Sequence, residues 1–111
     1  MSSLLSSIFN PLKVGDVINR PNTCSQILEI TPTTIKYSIG EESSYGIINI
    51  NEFEIVYLKL LKDRYVKYDW FHSNVKYNHK SDFYVICGIL VKYGVAIYNH
   101  KSTYYECTIS N

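Results

Sequence analysis

Apolar positions change period along this chain, and the changes mark its elements. Lys13-Val14-Gly15-Asp16 reads as a turn leading into a short strand, Val17–Asn19, and Arg20-Pro21-Asn22-Thr23 reads as a loop. Ser25 to Thr31 alternates, turning Ile27 and Ile30 inward. Pro32-Thr33 supplies a turn, and Thr34 to Ile39 returns with Ile35 and Tyr37 on one face. Gly40-Glu41-Glu42-Ser43 turns the chain again into a strand from Tyr45 to Ile48. A period of two between turn residues is the signature of half-buried strands. Three or four short strands with tight connections predict a small, curled antiparallel sheet.

At Asn51 the period lengthens. Phe53, Val56, Tyr57 and Leu60 fall at helical spacing, with Leu61 beside them. Asn51 reads as the N-cap and Glu54 as its capping-box partner. Glu52 and Glu54 open the segment while Lys59 and Lys62 close it, which suits the helix dipole. The expected helix runs from about Glu52 to Lys62. Arg64 to Val75, with Tyr65, Tyr68, Trp70 and Phe71, suits either a short helix or a bent strand.

Asp82 to Tyr93 is a long apolar run, read as a helix capped by Ser81 or Asp82 and ended by Gly94 as a left-handed residue. Gly88, in its middle, opposes that reading, because glycine costs a helix about 1 kcal/mol relative to alanine. Val95–Tyr98 and Thr103–Ile109 then read as a hairpin joined by Asn99 to Ser102. At the other end of the chain, Ser2 to Phe9 predicts one helical turn stopped at Asn10–Pro11.

The expected fold is therefore α+β in a single domain, residues 1–111. It has an acidic, β-rich half (1–58) and a basic, tyrosine-rich half (59–111). Two resemblances refine it. Val14-Gly15-Asp16-Val17-Ile18 leading into short strands is similar to SH3-like small barrels, a fold that hosts many functions. The helix from Ser81 to Tyr93, Gly94 and the hairpin to Ile109 resemble the second half of a winged-helix module. In that family the helix enters the major groove and the hairpin tip contacts the backbone. The resemblance implies phosphate contacts from Asn99, His100, Lys101 and Ser102. The expected helix departs from the family pattern, since its only charged residues are Asp82 and Lys92. A recognition helix needs polar side chains facing bases.

Charge adds a direction to this picture. The whole chain carries +1. Residues 1–58 hold three basic residues against six acids, a balance of −3. Residues 59–111 hold eight basic residues against four acids, a balance of +4. A basic half can meet nucleic acid or an acidic protein. The chain has 11 tyrosines, which provide amphipathic contact surface. The longest apolar run, Phe83 to Val91, is too short to span a bilayer, and Met1 to Phe9 lacks the basic start of a signal peptide. Three cysteines without a Cys-x-x-Cys pair argue against a disulfide framework. The expected location is cytoplasmic, with no membrane contact.

One phrase occurs twice: Tyr-Asn-His-Lys-Ser at 77–81 and again at 98–102. One copy leads into a helix and the other turns a hairpin, and Asn and Ser suit both places because they bond nearby backbone groups. The phrase places two His-Lys loops on the basic half.

Catalytic signals are weak. His72, His79 and His100 with Cys87 or Cys107 lack the close pairing of zinc ligands. His79 with Asp82, or His100 with Glu106, could in principle activate water for a metal-dependent nuclease. Cys24, Cys87 and Cys107 lie in apolar or strand contexts, where a small buried hydrophobe is the usual role. No Gly-x-Ser-x-Gly, Walker or dinucleotide motif occurs. The expectation is a non-enzymatic binding module without cofactor or metal, with nucleic acid as the partner. The expected contacts are Arg64, Lys67, Lys76, His79, Lys80, His100 and Lys101, with Tyr77 and Tyr98 stacking. The alternatives are an inhibitor or adaptor of phage or mobile-element type, binding a host protein through its tyrosines, and the nuclease.

Overall fold

A computed structural model describes residues 11–40, 44–75 and 79–109. The expected turn at 2–9, Lys76 and Tyr77 lie outside these residues. Four strands come first: β1 (Val17–Arg20), β2 (Thr23–Ile30), β3 (Thr34–Ser38) and β4 (Tyr45–Asn49). They form one antiparallel sheet in the order β1-β2-β3-β4. Ile27, Ile35 and Tyr37 point inward as expected, while Ile30, three positions past Ile27, is only partly buried. Ile18, Ile27, Ile35, Tyr37 and Ile48 are fully buried on one face, while Val17, Tyr45 and Ile47 point outward. A register shift between Ile27 and Glu29 bends β2, which curls the sheet.

Helix α1 (Ile50–Asp63) begins two residues earlier than the Asn51 cap predicts. Asn49 is the N-cap, so Glu52 rather than Glu54 stands at the third helical position. The same Asn-x-x-Glu spacing occurs at both places, and tertiary packing selects the upstream copy. Ile50 N–H is bound by the Thr33 carbonyl at 2.8 Å, which starts the helix directly off the sheet. Phe53, Val56, Tyr57 and Leu60 form its buried stripe.

The ambiguous stretch resolves into both candidates. It holds a two-residue strand β5 (Tyr65–Val66) and a short helix α2 (Tyr68–Asn74). Helix α3 (Lys80–Lys92) has His79 as its N-cap, not Ser81 or Asp82, and Asp82 is its third residue. The Asp82 carboxylate reaches back to accept the His79 N–H at 3.2 Å. Gly94 follows the helix with φ 77°, as expected of its left-handed exit. The hairpin β6 (Ala96–Asn99) and β7 (Tyr104–Cys107) completes the chain, with β5 added to it as a third strand in the order β5-β7-β6.

The fold is a mixed α+β arrangement, and buried side chains from both halves belong to one hydrophobic cluster. Helix α3 lies at its centre. Phe83, Val85, Ile86, Cys87, Ile89 and Leu90 are all buried. Gly88 explains how it gets there. A Cβ on Gly88 would stand 2.5 Å from the Asn19 carbonyl oxygen and 2.6 Å from Ile18 Cγ2. The helix therefore rests directly on the backbone of β1. Among the described residues, no helix is long and apolar enough to cross a membrane.

Candidate functional site

The first turn of α3 divides two clefts. On one side, Lys80, Ser81 and Tyr84 face the β1–β2 turn, Arg20 to Thr23, and the hairpin residues Tyr98 and Thr103. This cleft measures about 350 Å³. A smaller hollow of about 160 Å³ shares Arg20, Pro21 and Tyr98 with it and adds Asn19, Val91, His100 and Tyr105. Because they share three lining residues, the two form one groove along this face.

Local sequence builds each wall. Pro21-Asn22 turns the chain between β1 and β2, leaving Arg20 at the strand end. The Arg20 guanidinium donates to Ser25 Oγ at 3.2 Å, and its Nε is buried with no hydrogen-bond partner. At the hairpin tip, Asn99 Oδ1 accepts from both the Lys101 and Ser102 N–H groups at 3.0 Å, as the Asn-x-x turn chemistry predicts. Its Nδ2 donates to Glu106 Oε1 at 2.7 Å. The tip is fixed by side-chain bonds, and His100 and Lys101 project from it exposed.

The groove wall is aromatic. Tyr98 pairs across the sheet with Tyr105, their ring centroids 4.9 Å apart, and the His100 ring stands edge-on to Tyr98 at 4.8 Å. Tyr84 contacts Tyr105 at 6.3 Å and stacks on Tyr68 at 6.1 Å. Lys80 Nζ lies 5.3 Å from the centre of the Tyr68 ring. Among the described residues the only ion pair joins Lys59 to Asp63, so neither Arg20 nor Lys80 has a carboxylate partner.

The twin phrase meets here. Lys80 and Ser81 from the first copy and Tyr98 and His100 from the second line the same groove. Of the other expected contacts among the described residues, Lys101 stands at the adjoining hairpin tip, while Lys67, Arg64 and His79 lie elsewhere. Alternation puts Tyr65 and Tyr104 on the opposite face of the small sheet, with ring centroids 5.3 Å apart. Lys67 Nζ sits 5.5 Å from the Tyr104 ring on that face. Arg64 caps α1 at φ 71° and its guanidinium donates to the Ile109 carbonyl, so its charge serves the fold there. His79 turns to the second cleft. No sequence pattern marks Arg20 or Tyr84 as contact residues. Arg20 sits in the acidic half and Tyr84 in an apolar run, so only the tertiary fold brings them to the groove.

The second cleft measures about 480 Å³ and is lined by Asn49, Glu52, His79, Ser81 and Asp82 with Ile39, Tyr45, Gly46 and Ile47. Asp82 is 1% exposed. It accepts a hydrogen bond from the Tyr37 hydroxyl, which is 2.8 Å from Ser81 Oγ. Burial pushes the Asp82 carboxyl above its ordinary value, against the Tyr37 hydrogen bond that favours its charge. Burial and the nearby Asp82 charge raise Glu52 as well. Its Oε2 is buried without a hydrogen-bond partner. This cleft carries two carboxyl groups, Glu52 and Asp82, beside His79.

The catalytic alternatives find little geometry. Among the described residues no group of three or more His, Cys, Asp or Glu side chains is arranged to hold a metal ion. Glu106 is bonded to Asn99, and His79 meets Asp82 in a capping box at the start of α3, its N–H donating to the Asp82 carboxylate. Burial pushes the Cys87 thiol well up, which makes it a poor nucleophile. Cys24 differs from its expected burial: it is exposed on β2, on the outward side of the alternation. Comparison with protein-family models, curated proteins and solved structures finds no match to this chain.

Proposed function

We propose that the chain is a non-enzymatic nucleic-acid-binding module, and that the groove between the β1–β2 turn, α3 and the hairpin tip is its contact surface. One observation carries this reading. Arg20 and Lys80, two cations without carboxylate partners, converge on a wall of tyrosines built from separate parts of the chain. Phosphate contacts supply most non-specific affinity for nucleic acid, and interleaved aromatics supply stacking. The Arg20 guanidinium lines this cleft, held by its hydrogen bond to Ser25 Oγ. Lys101, at the adjoining tip, extends the positive edge.

The winged-helix likeness contributes order, not mechanism. Helix α3 precedes the hairpin as that resemblance implies, but its buried faces leave no polar side to enter a major groove. Contacts come instead from the start of α3 and the hairpin.

Fluorescence anisotropy with labelled oligonucleotides across a salt series tests the reading. The expected result is binding at low salt that weakens steeply as salt rises. Arg20→Ala and Lys80→Ala are each expected to reduce the log–log salt slope by about 1. No binding to any oligonucleotide at low salt overturns it. A protein-binding adaptor is the second reading. It is favoured by Val17, Tyr45 and Ile47, which are about half exposed on the outward face of the first sheet.

A further inference from the structure

We infer that the groove takes an unpaired single strand, with a base stacked on Tyr98 and the backbone passing Arg20 and Lys80. This rests on the nucleic-acid reading of the groove and narrows it to one class of ligand.

Helix α3 cannot read a duplex by insertion. Gly88 seats it against the β1 backbone, and Asp82, Phe83 and Val85 to Leu90 are buried. The exposed part of the site is concave and bounded on three sides, by Pro21 and Asn22, by Lys80 and Tyr84, and by Tyr98 and Thr103. Its wall combines the rings of Tyr84 and Tyr98 with the cations of Arg20 and Lys80. A duplex keeps its base faces covered by stacking, so the rings give it little. An unpaired strand presents both a base face and a phosphate on each nucleotide.

The groove supplies a partner for each. Tyr98 is half-buried and packs against Tyr105 and His100, with ring centroids 4.9 and 4.8 Å away. These two contacts restrict the ring, so less side-chain freedom is lost when a base stacks. Arg20 lines the same hollow, and its guanidinium supplies the charge for a phosphate. The hairpin tip is locked by Asn99, which keeps this spacing fixed before a ligand arrives.

The decisive comparison uses the unmodified protein with one labelled sequence in four forms: single-stranded DNA, single-stranded RNA, and the duplex of each. The expected result is tighter binding of the single strands by roughly tenfold or more, the worth of about one stacked base. Tyr98→Leu is expected to weaken single-strand binding by a similar factor and to leave the salt slope unchanged, while Tyr98→Phe retains affinity. Equal affinity for single strand and duplex overturns the inference and leaves nucleic-acid binding standing. Binding of no form at low salt removes the underlying reading itself. Tyr98 also packs on Tyr105, so the primary readout is the wild-type ratio, which needs no variant to fold.

Discussion

Tyr37 shows how much one side chain organises here. It crosses the sheet over Gly46, where any Cβ would collide with its ring and hydroxyl, and delivers that hydroxyl to Asp82 and Ser81 at the start of α3. It thereby fixes the turn that carries Lys80 into the groove. The alternation around Ile35 already placed Tyr37 inward, but its partner lies 45 positions further along the chain and no local pattern points to it. Tyr37→Phe is expected to destabilise the protein by about 1.5–3 kcal/mol at neutral pH, the usual worth of a hydrogen bond to a charged group. Urea unfolding measures it. The loss should shrink in acid, where Asp82 is protonated and no longer needs a donor.

Glu52 gives the matching pH test. Its carboxyl and that of Asp82 are raised in the folded state. The folded protein therefore binds protons more tightly than the unfolded chain between the ordinary carboxylate range and the raised values. The stability this linkage supplies is fully present below the ordinary range and is lost as pH rises through the folded values. Glu52→Gln should raise the urea midpoint at neutral pH and flatten its fall between acid and neutral pH. An unchanged pH profile would show that the two carboxyls do not interact as the structure places them.

Among the elements, α3 carries the clearest lesson. Read locally, Gly88 is a weakness that argues against a helix. In the fold it allows the close approach to Asn19 and Ile18. Gly88→Ala is expected to cost about 1–3 kcal/mol through overpacking, although alanine is the better helix former by about 1 kcal/mol. Thermal or urea unfolding decides the sign. A stabilised variant would mean that the helix does not rest on β1.

The elements themselves were largely legible because period and punctuation agree: strands between turn residues, then a capped helical stripe, then a hairpin around Asn99. What stayed hidden were choices made by tertiary contact. The α1 start moved to Asn49 because the Thr33 carbonyl takes the Ile50 N–H. Tyr65–Val66 became a strand because Tyr105 and Glu106 were available to pair with it.

For the whole molecule, the division into an acidic and a basic half proved too coarse for the site. The groove joins Arg20 of the first half to Lys80, Tyr84 and Tyr98 of the second, while Lys67 faces away on the outer side of the small sheet. The repeated phrase was the better guide, since both copies border the groove through different residues. Its first copy also separates the two clefts: His79 and Asp82 line the second, Lys80 and Tyr84 the first, and Ser81 touches both. The proposed ligand path follows from that separation.

The groove, and not the outer sheet face or the second cleft, is proposed to meet nucleic acid. Titrating a short single strand into isotopically labelled protein, with backbone amide shifts followed by NMR, tests it most directly. The shifts are expected to concentrate at Arg20 to Thr23, Lys80 to Tyr84 and Tyr98 to Thr103. Shifts centred instead on Tyr65, Lys67 and Tyr104, or on Asn49 and Glu52, would contradict it.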